Sequence, residues 1–514
     1  MTKATNLNTI ITDPRQLPSV EELLRDPRLE ALSAQIPRST LVAIVREVVA
    51  SKRESLRPSA LPAKKGAAKK TPVVVGATAP SQAVTRNNLV SAILTRATGA
   101  FTASLRRVIN CTGVVAHTNL GRAPIGGAAF LALADALSGY TALEYDIAAG
   151  ERGQRGAEVE AALSAVTGAE STMVVNSCAA ALVLTLNTFS LRRETIVSRG
   201  ELVQIGGGFR VLDILRRAGA KLVEIGATNI TTRKDYEKAL HEKTGLILKV
   251  HQSNFEQVGF AESVALRELV ALGKSRKIPV IHDLGSGLVV DPREVGLGGE
   301  TNVIASVRQG ADLTLFSGDK LFGAAQAGII AGRKEMIARL KTNPLYRALR
   351  VDKITLALTF AAAQSYLAGN WRTQIPLWKL ALRSESDLYQ LGRDILAQLD
   401  AGDMIAIEAV TARVGGGAAP TRQLPSCALS FITSIALDRL AEMFRESNPP
   451  IIGRIENGRF LLDLKALLPG EERALMEAIR IHLPQLRAGV APASSGPVAP
   501  AKTASPHRAG RSGR

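Results

Sequence analysis

Cysteine is scarce in this chain: three in 514 residues, Cys111, Cys178 and Cys427. They are too few and too widely spaced for a disulfide framework or a cysteine zinc site. Long apolar runs are missing too, with nothing near the ~18 consecutive apolar residues of a membrane-spanning helix. The first fifteen residues contain Asp13 and Pro14 and no apolar h-region, which argues against a secretory signal. No repeat with a period of about 20–50 residues is visible. These absences predict a soluble protein of a reducing compartment, the cytoplasm, with no membrane partner. What is present is ordinary for a folded chain: 46% hydrophobic and 21% charged residues. That balance excludes wholesale disorder. The length predicts about three domains.

Charge is lopsided, with 64 Lys and Arg against 46 Asp and Glu, a net charge of +18. Its location decides its meaning. Residues 51–70 carry seven basic side chains and one acid, and residues 487–514 carry five and none. Both stretches are rich in Ala, Pro, Gly and Ser, so most of the excess lies on segments without helical or strand periodicity. Such arms suit a polyanion, because neutralising phosphates releases counterions. They suit a solubilising linker and tail equally well.

Along the chain, Leu41, Ile44, Val45, Val48 and Val49 recur at helical spacing after Ser39, an expected N-cap. The expected organisation starts with a small helical domain over 1–57 and a Lys/Ala/Pro linker over 58–85. A large α/β body follows over 86–355, opening with a helix near 89–105. Short aliphatic runs at 173–176, 195–198, 222–225, 246–250, 279–283, 313–316 and 329–331 alternate with helical stretches, which predicts βαβ units around a largely parallel sheet. A helical bridge and a smaller α+β domain are expected over 356–487, and a disordered basic tail over 488–514.

The sharpest local signal is LTLFSGDKLFG (313–323), an apolar strand ending in a small-residue turn that presents Lys320. A Schiff-base lysine needs that setting: a strand end, little solvation, and small neighbours that leave room for a ring. Ser317, three residues earlier, offers a hydroxyl to an anionic group. VIHDLGSG (280–287) is a strand ending in Asp283, the acid a pyridoxal phosphate ring needs at its nitrogen. Taken alone, Asp283 reads as well as a helix cap or turn acid. VVNSCAAA (174–181) runs from a strand into an Ala-rich helix start, where free amides and the Ser177 hydroxyl suit a phosphate. Ordinary capping by Asn176 or Ser177 explains that segment equally. Together, phosphate cup, acid and lysine follow the chain order of aminotransferase-like folds.

Longer segments sharpen this. VINCTGVVAHTNLGRAP (108–124), SRGELVQIGGGFR (198–210), EIGATN (224–229), KVHQSNF (249–255), HDLGSGL (282–288), FSGDKLFGAAQAGIIAGRKEMI (316–337) and NPLYRALRVDK (343–353) resemble bacterial selenocysteine synthases, the L-seryl-tRNA(Sec) selenium transferases. The likeness extends to LPSVEELLRDPRLEAL near the start, GGGAAPTRQLPSCALSF and NGRFLLDLKAL. It implies a fold-type-I pyridoxal phosphate core of the aminotransferase-like class, with a small α-helical amino-terminal domain that grips tRNA and a smaller α+β carboxy-terminal domain. The implied substrates are seryl-tRNA(Sec) and selenophosphate, the cofactor pyridoxal 5′-phosphate, and the assembly a homo-oligomer, a decamer built as a pentamer of dimers. By the same resemblance Lys320 is the cofactor lysine, Asp319 the acid beside it and Asp283 the pyridine partner. Arg122, Arg347 and Arg350 would surround the selenophosphate. Arg347 and Arg350, three apart, are expected to share one helical face. Cys178 stands where an Asn is common, and Gly323-Ala-Ala-Gln326 replaces a more familiar Gly-Gly-Pro-Gln. Two rivals remain at this level: a pyridoxal phosphate lyase acting on a small amino acid or amino sugar acid, and an inactive tRNA-binding protein.

Overall fold

The computed structural model describes residues 10–56, 84–101, 105–126, 138–205, 209–252, 257–415 and 418–488, together with 130, 133, 134 and 255. The expected linker and basic tail lie almost wholly outside these residues. The chain divides into two compact units, Met1–Arg107 and Val108–Arg514.

The first unit is built from four helices: α1 (Val20–Leu24), α2 (Pro27–Leu32), α3 (Arg38–Ser55) and α4 (Arg86–Phe101). Ser19 and Glu22 form a reciprocal capping box on α1, and Asp26 caps α2 with Pro27 at its first position. In α3, Leu41, Ile44, Val45 and Val49 are buried as their spacing predicts. Ser39 does not cap it; α3 starts two residues earlier than that cap implies, at Arg38 behind Pro37, and Ser39 sits inside the first turn. The expected boundary at residue 86 also shifts. Leu89, Val90, Ile93 and Ala97 of α4 are buried in one core with Leu23, Leu29, Leu41 and Val45. Three short helices alone enclose too little apolar surface, and α4 completes the core. The Ile11 amide donates to the Val84 carbonyl at 2.7 Å, tying the residues before α1 to those just before α4.

The second unit centres on a seven-stranded sheet of β1 (Ser171–Val175), β2 (Glu194–Ser198), β3 (Lys221–Ile225), β4 (Thr244–Val250), β5 (Val280–Gly285), β6 (Leu313–Ser317) and β7 (Gly328–Gly332). All seven expected strands are present, in the order β1-β7-β6-β5-β4-β2-β3. The pairings among β2 to β6 are parallel, and β7 runs antiparallel to both neighbours. All five residues of β6 and all five of β7 are buried. Strands covered on both faces lose the usual apolar-polar alternation, hence the continuous aliphatic runs. In such a sheet the carboxyl ends of the strands form the crevice where ligands bind.

A second sheet carries the strands Ile405–Gly415, Ala418–Phe431, Arg454–Glu456 and Arg459–Asp463, backed by the helix Glu472–Ala488. Its fifth strand, Val114–Ala116, comes from far upstream and pairs parallel with Ile405–Gly415. Ile109 and Asn110 likewise pair with Ile451 and Ile452. Strands from residues 109–116, expected in the large body, thus pair with the carboxy-terminal part of the chain: Val114–Ala116 in the smaller sheet, and Ile109–Asn110 in a separate two-stranded pair. Among the described residues no helix is long and apolar enough to cross a membrane.

Candidate active site

Lys320 lies on the turn after β6, only 9% exposed. That turn is tied down from several sides. The Leu321 amide donates to the Ser286 carbonyl at 2.8 Å, and the Gly318 amide donates to the Ala327 carbonyl at 2.9 Å. Gly287 has φ +77°, and a Cβ there would stand 2.6 Å from the Ser317 carbonyl oxygen, so only glycine fits. A Cβ built on Gly285 would lie 3.8 Å from Lys320 Nζ, which locates the amine over the end of β5. Burial, with the Arg122 charge adding to it, holds the Lys320 pKa below that of a free lysine, while the charges of Asp283 and Asp319 pull the other way.

Asp283 sits on that same strand end. Its enclosure pushes the carboxyl up to about 6, against the pull of the Lys320 charge. The Cys178 thiol stands 3.6 Å from its Oδ1 and donates to it. Burial and the Asp283 charge raise that thiol, so Cys178 is a neutral donor rather than a thiolate. Cys178 opens the helix Cys178–Ser190, capped by the Ser177 hydroxyl, which accepts from the Ala180 amide at 3.1 Å. Amides in the first turn of a helix have no intrahelical acceptor and point outward. A Cβ on Gly328 would stand 2.0 Å from the Ser177 carbonyl oxygen, so β7 packs directly against this cup.

Asp319 is held by two side chains. Ser317 Oγ donates to its Oδ1 at 2.8 Å, and Arg122 Nη1 donates to both oxygens at 3.0 and 2.9 Å. Ser317 thus engages a protein carboxylate, not the open anion site expected for it. Arg122 has φ +62° in a tight loop whose Ala123 amide donates to the Asp319 carbonyl. The structure therefore joins Lys320, Asp283, Cys178, Asp319, Ser317 and Arg122 in one cluster.

Among the described residues neither Arg347 nor Arg350 bonds to a member of that cluster. The helix Pro344–Leu349 ends before Arg350, whose ψ of 143° is extended, so the two do not share a helical face. Arg347 is exposed. Arg350 Nη1 donates to Glu144 at 3.1 Å. A link to the cup survives through the backbone: the Asn176 amide donates to the Leu349 carbonyl at 3.0 Å.

Sequence reasoning missed His251. Its amide donates to the Asp283 carbonyl at 2.9 Å, so it continues β4 beside the acid. Burial, with the charges of Lys320 and Lys249, lowers its pKa to about 4, keeping the ring neutral. Its Nδ1 is buried without a hydrogen-bond partner among the described residues, as is Ser286 Oγ. The signal was the chemistry-bearing His in KVHQSNF at the end of a predicted strand, next to the strand that carries Asp283.

A buried amine of lowered pKa, an acid with a thiol partner, a glycine-lined floor, a helix amino terminus and two orphaned polar groups together fit pyridoxal phosphate. The helix amino terminus at Ser177 and Cys178 would hold its phosphate, Asp283 its ring nitrogen and Lys320 its aldehyde carbon.

Comparison with known proteins matches this picture. Residues 108–468 match the family model of L-seryl-tRNA selenium transferase, and residues 14–53 match the selenocysteine synthase amino-terminal model. The L-seryl-tRNA(Sec) selenium transferase of Nitratidesulfovibrio vulgaris is 41% identical over 476 residues, covering 91% of this chain and 98% of its own. That of Moorella thermoacetica is 40% identical over 471 residues, with 90% and 96% covered. Among solved structures, D-glucosaminate-6-phosphate ammonia-lyase superposes with a TM-score of 0.54 at 21% identity, covering 74% of this chain and 97% of its own. At that identity the likeness is one of fold.

Proposed function

The chain belongs to the L-seryl-tRNA selenium transferase family, and from this we infer that it converts L-seryl-tRNA(Sec) to selenocysteinyl-tRNA(Sec) with selenophosphate, using pyridoxal 5′-phosphate. The observation that carries the site assignment is Lys320, a buried lysine over the strand end that bears Asp283.

When bound, pyridoxal phosphate is an electron sink that makes the α-proton of an attached amino acid removable. The chain's own residues do the rest. Lys320 holds the cofactor and, once freed, moves protons; burial lowers its pKa, which makes its proton easier to give up than that of a free lysine. Asp283 supplies the negative charge that keeps the pyridine nitrogen protonated. Cys178 and Ser177 open the helix whose first amides receive the phosphate. Asp319 orients Arg122 by two hydrogen bonds from one Nη. Arg122, Arg347 and Arg350 bind the selenophosphate, since guanidinium forks match its oxygens. The amino-terminal unit grips the tRNA. Val258 and Phe260, 89% and 94% exposed in this chain, support assembly into a homo-oligomer, and the decameric form is carried by the family resemblance alone. Work on charged tRNA belongs in the cytoplasm.

The test is borohydride reduction of the purified protein followed by peptide mapping, alongside selenium incorporation into seryl-tRNA(Sec). The cofactor should be found on the peptide containing Lys320, and Lys320→Ala should lose selenium transfer while binding the tRNA normally. Reduced cofactor on another peptide would refute the assignment.

A further inference from the structure

Glu144 gathers three arginines. Its Oε1 accepts from Arg155 Nη1 at 3.0 Å and from Arg350 Nη1 at 3.1 Å, and its Oε2 accepts from Arg152 Nη2 at 3.1 Å. Arg155 and Arg350 are mostly covered, with 20% and 26% of their side chains exposed, and Glu144 with 28%. One carboxylate facing three guanidiniums leaves a local surplus of positive charge. The bonding is also incomplete: Arg155 Nε is buried without a partner among the described residues.

The cluster is built against the phosphate cup. Leu349, immediately before Arg350, accepts from the Asn176 amide, and Arg155 Nη2 donates to the carbonyl of Val351, immediately after it. The backbone on both sides of Arg350 is thus held, by the Asn176 amide before it and the Arg155 side chain after it. A knot serving stability alone would satisfy its donors. Here two arginines converge on a single carboxylate oxygen, and a tetrahedral oxyanion offers more acceptors and more charge than a carboxylate.

We propose that Glu144 occupies the position of the anionic co-substrate: selenophosphate displaces its carboxylate from Arg350 and Arg155, and Arg155 is a further anion-binding residue. This rests on the proposed function of Arg350. Glu144 then sets specificity, because only an anion that outcompetes a carboxylate opens the site. A monoanion without a second charge gains too little from the exchange.

The same chemistry is offered by phosphates of the tRNA, so the experiment separates the two sources. Full-length, cofactor-loaded protein is saturated with seryl-tRNA(Sec) and selenophosphate is varied, for the unaltered chain, Glu144→Gln, Glu144→Ala and Arg155→Lys. Inorganic phosphate binding is measured by calorimetry on the same proteins without tRNA. Removing the carboxylate charge should lower the half-saturating selenophosphate and tighten phosphate binding by roughly threefold to tenfold in both Glu144 variants. Arg155→Lys should raise the half-saturating value by about tenfold or more, the effect of one charge-assisted hydrogen bond. Affinity for tRNA should not move. The proposal falls if the Glu144 variants weaken selenophosphate and phosphate as Arg155→Lys does, because Glu144 would then only order the arginines. It falls equally if tRNA affinity changes instead. Inability of the unaltered protein to use selenophosphate would overturn the proposed function, while the phosphate arm would still report on Glu144.

Discussion

Asp283 gives the most quantitative consequence of the site. In the folded chain its carboxyl titrates at about 6, against 3.8 for an ordinary aspartate. The folded value is raised, so its contribution to stability is fully present below about pH 4 and is lost as pH rises through about 6. At about 1.36 kcal/mol per pH unit, that gap amounts to at most about 3 kcal/mol. Asp283→Asn removes the titration and keeps the shape. With the cofactor stripped, the two proteins should therefore differ little near pH 4. Above about pH 7 the Asn variant should be the more stable, by up to about 3 kcal/mol. Adding pyridoxal phosphate should reverse the order. A protonated ring nitrogen adds a second counter-charge to that of Lys320 at Asp283, and it gives the neutral amide of the variant nothing comparable. Urea denaturation of both proteins between pH 4 and 8.5, with and without cofactor, reads the whole cycle. Parallel pH profiles for the two cofactor-free proteins would refute the idea that Asp283 is a carboxyl held against its preferred charge.

Replacing Arg350 or Arg347 by Lys should weaken selenophosphate use by roughly 1.5–3 kcal/mol, the range for a charge-assisted hydrogen bond. Single-turnover loss of the serine hydroxyl should be spared; equal damage to both steps would assign these arginines another role. Removing residues 1–57 should leave α4 with Leu89, Val90 and Ile93 uncovered and give an aggregating protein. Removing residues 1–107 should give a soluble, cofactor-loaded core that no longer selects its tRNA, as light scattering and a tRNA-binding assay would show. Gly287→Ala should cost about 2–4 kcal/mol and lose cofactor, since its Cβ meets the Ser317 carbonyl at positive φ. Gly298→Ala, with nothing within 4 Å, should change stability by less than about 0.5 kcal/mol in the same melts.

The seven aliphatic runs foretold the central sheet because a strand buried on both faces has no alternative to continuous apolar sequence, and that requirement is local. Lys320 and Asp283 were legible for the same reason: each directly follows or ends such a run, and strand ends are where a parallel sheet exposes chemistry. The small residues around them, Gly285 and Gly287, reflected close backbone approach. Pairings distant in sequence were not legible. Nothing in Val114–Ala116 announces that it will add to a strand some 300 residues later, because register is fixed by partners and not by the strand alone. The apolar face of α4 reads equally well in either unit, and the core it completes decided the boundary. Side-chain partnerships went the same way. Ser317 bonds Asp319, and Arg350 leaves its helix to meet Glu144, because a hydroxyl or guanidinium takes whichever acceptor folding brings within reach. Sequence determined which groups stand at the strand ends; tertiary structure alone decided which of them touch, since hydrogen bonds act over about 3 Å and the chain brings those atoms together only when folded.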